Sequence, residues 1–398
     1  FLDAITGGAP SLNARLRYEH AEADGSESSE AITLRTRLGY STLPYHGIRA
    51  FVEFEDVSSL SDDGDYSQAG LNSAGEGKTV IADVEGSELN QAFIELTCPV
   101  TGVKSTVGRQ RLILGNARFI GNVGWRQNEQ TYDAATLKTP EKHGLQLTYA
   151  YLDGVRRIFG QENGADLSGA TGNAARYSSD SHVVNLGFSP CSGFASTAYA
   201  YLLDLGDREV GSANSSDTYG ANATVTIKAD CGLTTVGRLE YAQQMDNSAS
   251  PDGVDYKADY FMVDLGTKCD VVGVGAGVEI LGSDNGATFR TPLATGHKFN
   301  GWADVFLTAP AQGLQDFYAY ASVKCPVTGG LLKVVYHDFE SDTGNIEYGD
   351  EIDVVASKKF GDRITVIAKY ANYEACTDPD NPRAADVERI SIEAGLAF

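Results

Sequence analysis

The chain has 398 residues and a formal net charge of −23, from 54 acidic against 31 basic side chains. That excess of negative charge argues against nucleic acid as a partner, since a phosphate backbone calls for a cationic footprint. Mean hydropathy is −0.22, and no run approaches the roughly 18–20 apolar residues that a membrane helix requires.

Taken in chain order, eighteen segments of about ten residues alternate apolar with polar side chains and are separated by Gly, Ser, Asn and Asp clusters. They span 11–21, 31–42, 47–58, 87–97, 103–111, 131–139, 144–154, 182–190 and 194–205 in the first half. The second half holds 217–229, 232–244, 256–268, 271–282, 314–324, 331–341, 347–360, 363–374 and 387–398, the last ending on the aromatic Phe398. Short connections, such as 43–46, 99–102, 141–144 and 326–329, alternate with long ones at 59–86, 112–130, 155–181 and 283–313. Short turns on one side and long loops on the other predict an all-β fold: a single transmembrane antiparallel β-barrel over residues 1–398, with about 18 strands, periplasmic turns and extracellular loops. An even strand number puts both termini on the periplasmic side. Stretch 299–307 also has a strand pattern, but a nineteenth strand there would run the same way as the next one. It is therefore assigned to a loop, and 112–130 and 283–313 are both expected to fold inward. Phe1 lies close to the first strand, so the chain reads as a mature protein whose secretion signal has been removed.

Alternation also assigns faces. In the first strand Leu12, Ala14, Leu16 and Tyr18 face lipid, and Asn13, Arg15, Arg17 and Glu19 face the lumen. The second strand adds Arg35 and Arg37 inside, and the third adds Arg49 with Glu53 and Glu55. An Arg or Lys facing lipid at the midplane costs about 2–4 kcal/mol, which forces these cations inward. Closure sets the last strand beside the first and adds Arg389 and Glu393; Arg238, Lys333 and Lys369 point inward from other strands. Two readings of these cations stand side by side. They form a path that guides anions, or they pair with Glu19, Glu53, Glu55, Glu95 and Glu393 and brace the wall.

The segment 108–128, running from the end of the fifth strand into the loop after it, carries Arg109, Arg111, Arg118, Trp125 and Arg126 amid Gly and Asn. Folded into the lumen, it would be a constriction element, and positive charge at a constriction favours anions. The acidic runs 22–27, 61–65 and 378–380 lie in loops and serve either solubility or divalent-cation binding near anionic lipid headgroups; the 61–65 run is too short for an EF-hand. Six cysteines, Cys98, Cys191, Cys231, Cys269, Cys325 and Cys376, lack metal-ligand spacing, and the first five fall at short turns. Disulfides between turns and free thiols both remain open, as does a monomeric or trimeric state.

The segments Thr6–Glu19, Gly108–Arg126 and His297–Asp304 resemble bacterial outer-membrane proteins of the alginate-export family, and the similarity extends over most of the chain. The resemblance implies an eighteen-stranded barrel with an arginine-lined path for anionic solute. No HExxH or GxSxG motif occurs and the six histidines are scattered, so no enzyme, metal or cofactor is expected. The expected function is an outer-membrane porin for small, preferentially anionic solutes. Dedicated export of an acidic polysaccharide such as alginate is the first alternative, and an adhesive or structural surface barrel the second. Expected partners are outer-membrane lipid and lipopolysaccharide, together with small anionic solutes or acidic oligosaccharide.

Overall fold

In the computed structural model, which describes residues 1–160, 173–206, 214–247 and 254–398, a five-residue helix α1 (Leu2–Thr6) leads into β1 (Ala9–Ala23). There follow β2 (Ser29–Ser41), β3 (Ile48–Ser59), β4 (Gly86–Thr97), β5 (Lys104–Gln110), β6 (Thr131–Lys138), β7 (Leu145–Arg156), β8 (Arg176–Cys191) and β9 (Phe194–Leu203). The second half consists of β10 (Ser216–Lys228), β11 (Thr234–Asp246), β12 (Lys257–Lys268), β13 (Val272–Leu281), a minor hairpin β14 (Ser283–Asp284) and β15 (Ala287–Thr288), then β16 (Leu314–Lys324), β17 (Leu331–Glu340), β18 (Glu347–Phe360), β19 (Ile364–Ala375) and β20 (Val387–Ala397). All but β14 and β15 belong to one 18-stranded sheet.

The sheet closes on itself. β1 pairs antiparallel with β20, Asn13 opposite Ala397 and Ala23 opposite Val387. Closure removes the edge, so the backbone groups along each strand find partners on its two neighbours, as a strand crossing hydrocarbon requires. Side chains then sort by parity. Leu38 (57% exposed), Phe54 (58%) and Val107 (61%) point outward, while Arg17 (2%), Glu55 (2%) and Glu351 (0%) point inward. On β13 the inward positions Gly275 and Gly277 have no room for a Cβ, because the rings of Tyr320 and Tyr318 on the next strand lie across them.

The structure revises two expectations. β8 begins at Arg176, six residues earlier than the alternation indicates. Its polar stretch Arg176–Ser178 pairs with Gly154–Arg156 beyond a register shift, where backbone pairing outweighs a weak apolar pattern. The centre of the predicted loop 155–181 lies outside the described residues. The 60–85 connection, expected outside, also reaches into the barrel, where Tyr66 and Ile81 pack on Ala21 and Ala31 of the inner wall. The six cysteines are all unpaired. Stretch 299–307 contains no strand.

Candidate transport path

Three inward segments, 60–85, 111–130 and 282–313, meet the wall through charged side chains. Arg15 Nε donates to Gln127 Oε1 (2.9 Å), and its other nitrogens donate to the carbonyls of Gly124 (3.2 Å) and Arg126. Arg17 donates to Asp83 (3.3 Å), Glu393 (3.0 Å) and the Trp125 carbonyl (2.5 Å). Both strand arginines thus receive the exposed carbonyls of an irregular segment, which β1 itself has no spare N–H groups to satisfy. Arg126 returns the contact, donating to both oxygens of Glu19 (3.0 and 3.1 Å) and to Asp304 (3.1 Å). Arg118 reaches the opposite wall, bonding Glu279 (2.7 Å) and Asn300 (2.9 Å). Arg37 pairs with Glu55 and lies 3.4 Å from Glu129, which Arg111 also binds. Burial alone would raise the Glu129 pKa, but the hydrogen bonds from Arg111 and the charge of Arg37 outweigh it and hold the pKa down at about 2.

Trp125 and His297 form a neck between these segments. Their rings stack at 3.2 Å between centroids and 9° between planes. Lys369 Nζ donates to His297 Nε2 (2.8 Å), which leaves Nδ1–H to donate to Asp304 (2.8 Å) and assigns the neutral tautomer. Burial, aided by the Lys369 charge and opposed by Asp304, pushes the imidazole pKa down to about 3. The guanidinium groups of Arg17 and Arg126 sit 4.7 and 4.1 Å from the Trp125 ring centre. On the short-turn side of this stack lies a cavity of about 680 Å³ lined by Arg238, Tyr260, Lys298, Tyr318, Tyr320, Lys333 and Lys369 among others. On the long-loop side lies one of about 400 Å³, bounded by Arg126, Arg157, Asp304 and Arg389. Trp125 and His297 line both, and the gap beside them, next to Glu19 and Trp302, holds only about 10 Å³.

The sequence-predicted residues fall into distinct groups. Arg15, Arg17, Arg37, Arg111, Arg118, Arg126 and Arg389 are held by carboxylates or carbonyls around the inward segments. Arg35 bonds Asn13, and Arg49 lies 3.5 Å from Glu95. Arg238, Lys333 and Lys369 line the larger cavity. Arg109 departs from expectation. It belongs to β5, alternates with buried Gln110 onto the face of exposed Val107, and pairs with Asp133 (2.8 Å) away from the lumen. Sequence reading passed over Asp83 and Glu129, and named Asn300 and Trp302 only within the His297–Asp304 motif. Asp83, flanked by the apolar Ile81 and Val84, was the most accessible signal, since an acid in such surroundings needs a buried cation.

The closed antiparallel wall, the inward segments and the divided lumen define the class of fold: an 18-stranded, porin-like β-barrel. The sequence model of the alginate export family matches residues 11–150, which bears out the resemblance drawn from the motifs, although the match stops short of the His297–Asp304 motif. Similar solved structures include Acinetobacter baumannii OccAB3 (13% identity, 99% of this chain and 100% of that one, TM-score 0.73) and OccAB2 (14%, 100% and 99%, TM-score 0.72). Pseudomonas aeruginosa OpdL is similar at 13% identity, with 99% of each chain covered and a TM-score of 0.69. No curated protein matches the sequence.

Proposed function

We propose that the protein is a diffusion channel of the outer membrane that favours small anionic solutes. One observation carries this reading. In the larger cavity the carboxylates are engaged, Asp264 by Arg238, Glu279 by Arg118 and Asp316 by His337. Lys298, Lys333 and Lys369, by contrast, face the space with no carboxylate in ion-pair contact among the described residues: Lys298 donates to a carbonyl, Lys369 to an imidazole, and Lys333 sits over the Tyr320 ring. The free charge of the cavity is therefore positive, and a low-dielectric wall concentrates its field. In a planar bilayer under a salt gradient, the reversal potential should lie on the anion-selective side; clear cation preference would overturn the proposal.

Export of an acidic polysaccharide is weighed against by the neck. A polymer would have to displace the Trp125–His297 stack, whereas a small solute needs only a breathing motion of it. Oligouronates should accordingly block weakly. Strong block that disappears when Arg15, Arg17, Arg35 and Arg37 are neutralised would favour the exporter, and negligible conductance would favour a surface scaffold.

A further inference from the structure

We infer that the periplasmic mouth of the barrel is a binding ring for multivalent oxyanions, distinct from the arginines around the neck; the inference rests on the channel reading above. Six lysines, Lys104, Lys138, Lys228, Lys268, Lys324 and Lys359, stand at the short-turn ends of β5, β6, β10, β12, β16 and β18, and all six are exposed to solvent. Strand parity turns each of them toward the lumen. Lys268 and Lys324 follow the inward Asp264 and Tyr320 by four positions, Lys359 follows buried Asp353 by six, and Lys138 lies opposite Thr148, two before buried Ala150. Lys228 is opposite Thr234, which shares the inward parity of Arg238, and Lys104 contacts the inward Glu95 (3.3 Å).

The placement sets like charges against one another. Lys104 and Lys138 are direct cross-strand partners, and Lys228 and Lys268 flank the same residue, Thr234, on successive strands. Like charges facing each other across strands destabilise a sheet unless something neutralises them. The inward carboxylates nearest this rim are already committed, Glu95 to Arg49 and Lys104, and Asp264 to Arg238. At the opposite end most inward positions are uncharged, including Ala21, Ser29, Ala31, Ser216, Ala258 and Leu281, with Arg389 bonded to Glu19. The acidic runs 22–27, 61–65 and 378–380 lie in loops at that end too, whereas the short-turn end has only the single acids Glu141, Asp230, Asp270 and Asp362 in the turns beside the lysines.

Strand spacing sets the ligand. Lys104 and Lys138, on adjacent strands, are about 5 Å apart at the backbone, and Lys228, Lys268, Lys324 and Lys359 follow one another at every second strand, about 10 Å apart. Their flexible stems suit a solute carrying three or more phosphate, sulfate or carboxylate groups better than a single monovalent anion. The ring would gather such solutes on the periplasmic side and deliver them to Lys333 and Lys369 deeper in the cavity.

The test is side-specific block of single channels by inorganic tripolyphosphate. The short-turn face is identified by reaction of exposed Cys191, Cys231 and Cys269 with a membrane-impermeant thiol reagent. Tripolyphosphate added on that face should block at a concentration about tenfold lower than on the other, and the difference should shrink as salt is raised. In a Lys104→Gln, Lys138→Gln, Lys228→Gln, Lys268→Gln variant the two faces should become equivalent, with folding checked by heat-modifiable gel migration. Equal block from both faces of the native protein, or an asymmetry unchanged in the folded variant, overturns the inference. The reversal potential judges the channel reading separately: anion preference with symmetric block sinks only the ring, and cation preference with one-sided block sinks only the proposed selectivity.

Discussion

Arg118 and His297 show how single side chains hold the interior in place. Arg118 is buried between Glu279 and Asn300 and lies 4.8 Å from the Phe299 ring centre. Arg118→Ala strips a buried carboxylate of its cation. The expected loss is about 3 kcal/mol, the low end for breaking a buried pair, because Tyr260 and Asn300 still donate to Glu279. A lowered midpoint of heat-modifiable unfolding reads it directly; no shift would mean that Arg118 does not anchor its segment. His297 carries the pH dependence. Its folded-state pKa of about 3 lies below the ordinary imidazole value of about 6.5, so the neutral ring contributes stability in full above pH 6.5. That contribution declines as pH falls from there toward 3, where an imidazolium would face Lys369 and Arg126. Open-channel noise should rise over this window, and His297→Phe should remove the pH-dependent part while keeping a ring against Trp125. At this level the sequence was informative about which arginines turn inward, because parity follows from the two-residue period of a strand. It was silent on their partners, since Asp83, Glu129 and Asp304 come from segments without periodicity.

The strands and the inward segments obey different rules. Each strand is specified locally by alternation and by turn residues, and all eighteen predicted strands appear in the wall. The exceptions are instructive. β8 starts early where polar residues pair by backbone alone, and Arg109 lies in β5 and not in the loop beside it. The inward segments are specified by what they meet. The 111–130 segment occupies the lumen because Arg15 and Arg17 take up its carbonyls while its own Arg118 and Arg126 find Glu279 and Glu19. Trp125 is the part of it that narrows the path. Trp125→Ala should raise single-channel conductance about twofold by joining the two cavities, without altering the fold. Unchanged conductance would move the limiting constriction elsewhere.

Charge is distributed across the barrel in a way that no element shows alone. A protein of net charge −23 keeps acidic runs in its long loops, while its lumen holds buried arginines paired with carboxylates and, in the larger cavity, lysines without carboxylate partners among the described residues. Selectivity should therefore depend on screening: anion preference measured at 0.1 M salt, where the Debye length is about 10 Å, should weaken markedly at 1 M, where it is about 3 Å. A preference that grew with salt would point to pore width and not charge. The amino-acid sequence by itself determined the class of wall, its strand number and, Arg109 apart, the inward face of the strand cations it singled out, because those follow from a repeat of two residues and from the cost of exposing charge to lipid. Only the tertiary structure decided that the 60–85 connection also enters the lumen, how Trp125 and His297 divide it, and which lysines remain without carboxylate partners. Those outcomes depend on contacts between residues a hundred or more positions apart, and a local pattern carries no record of such distances.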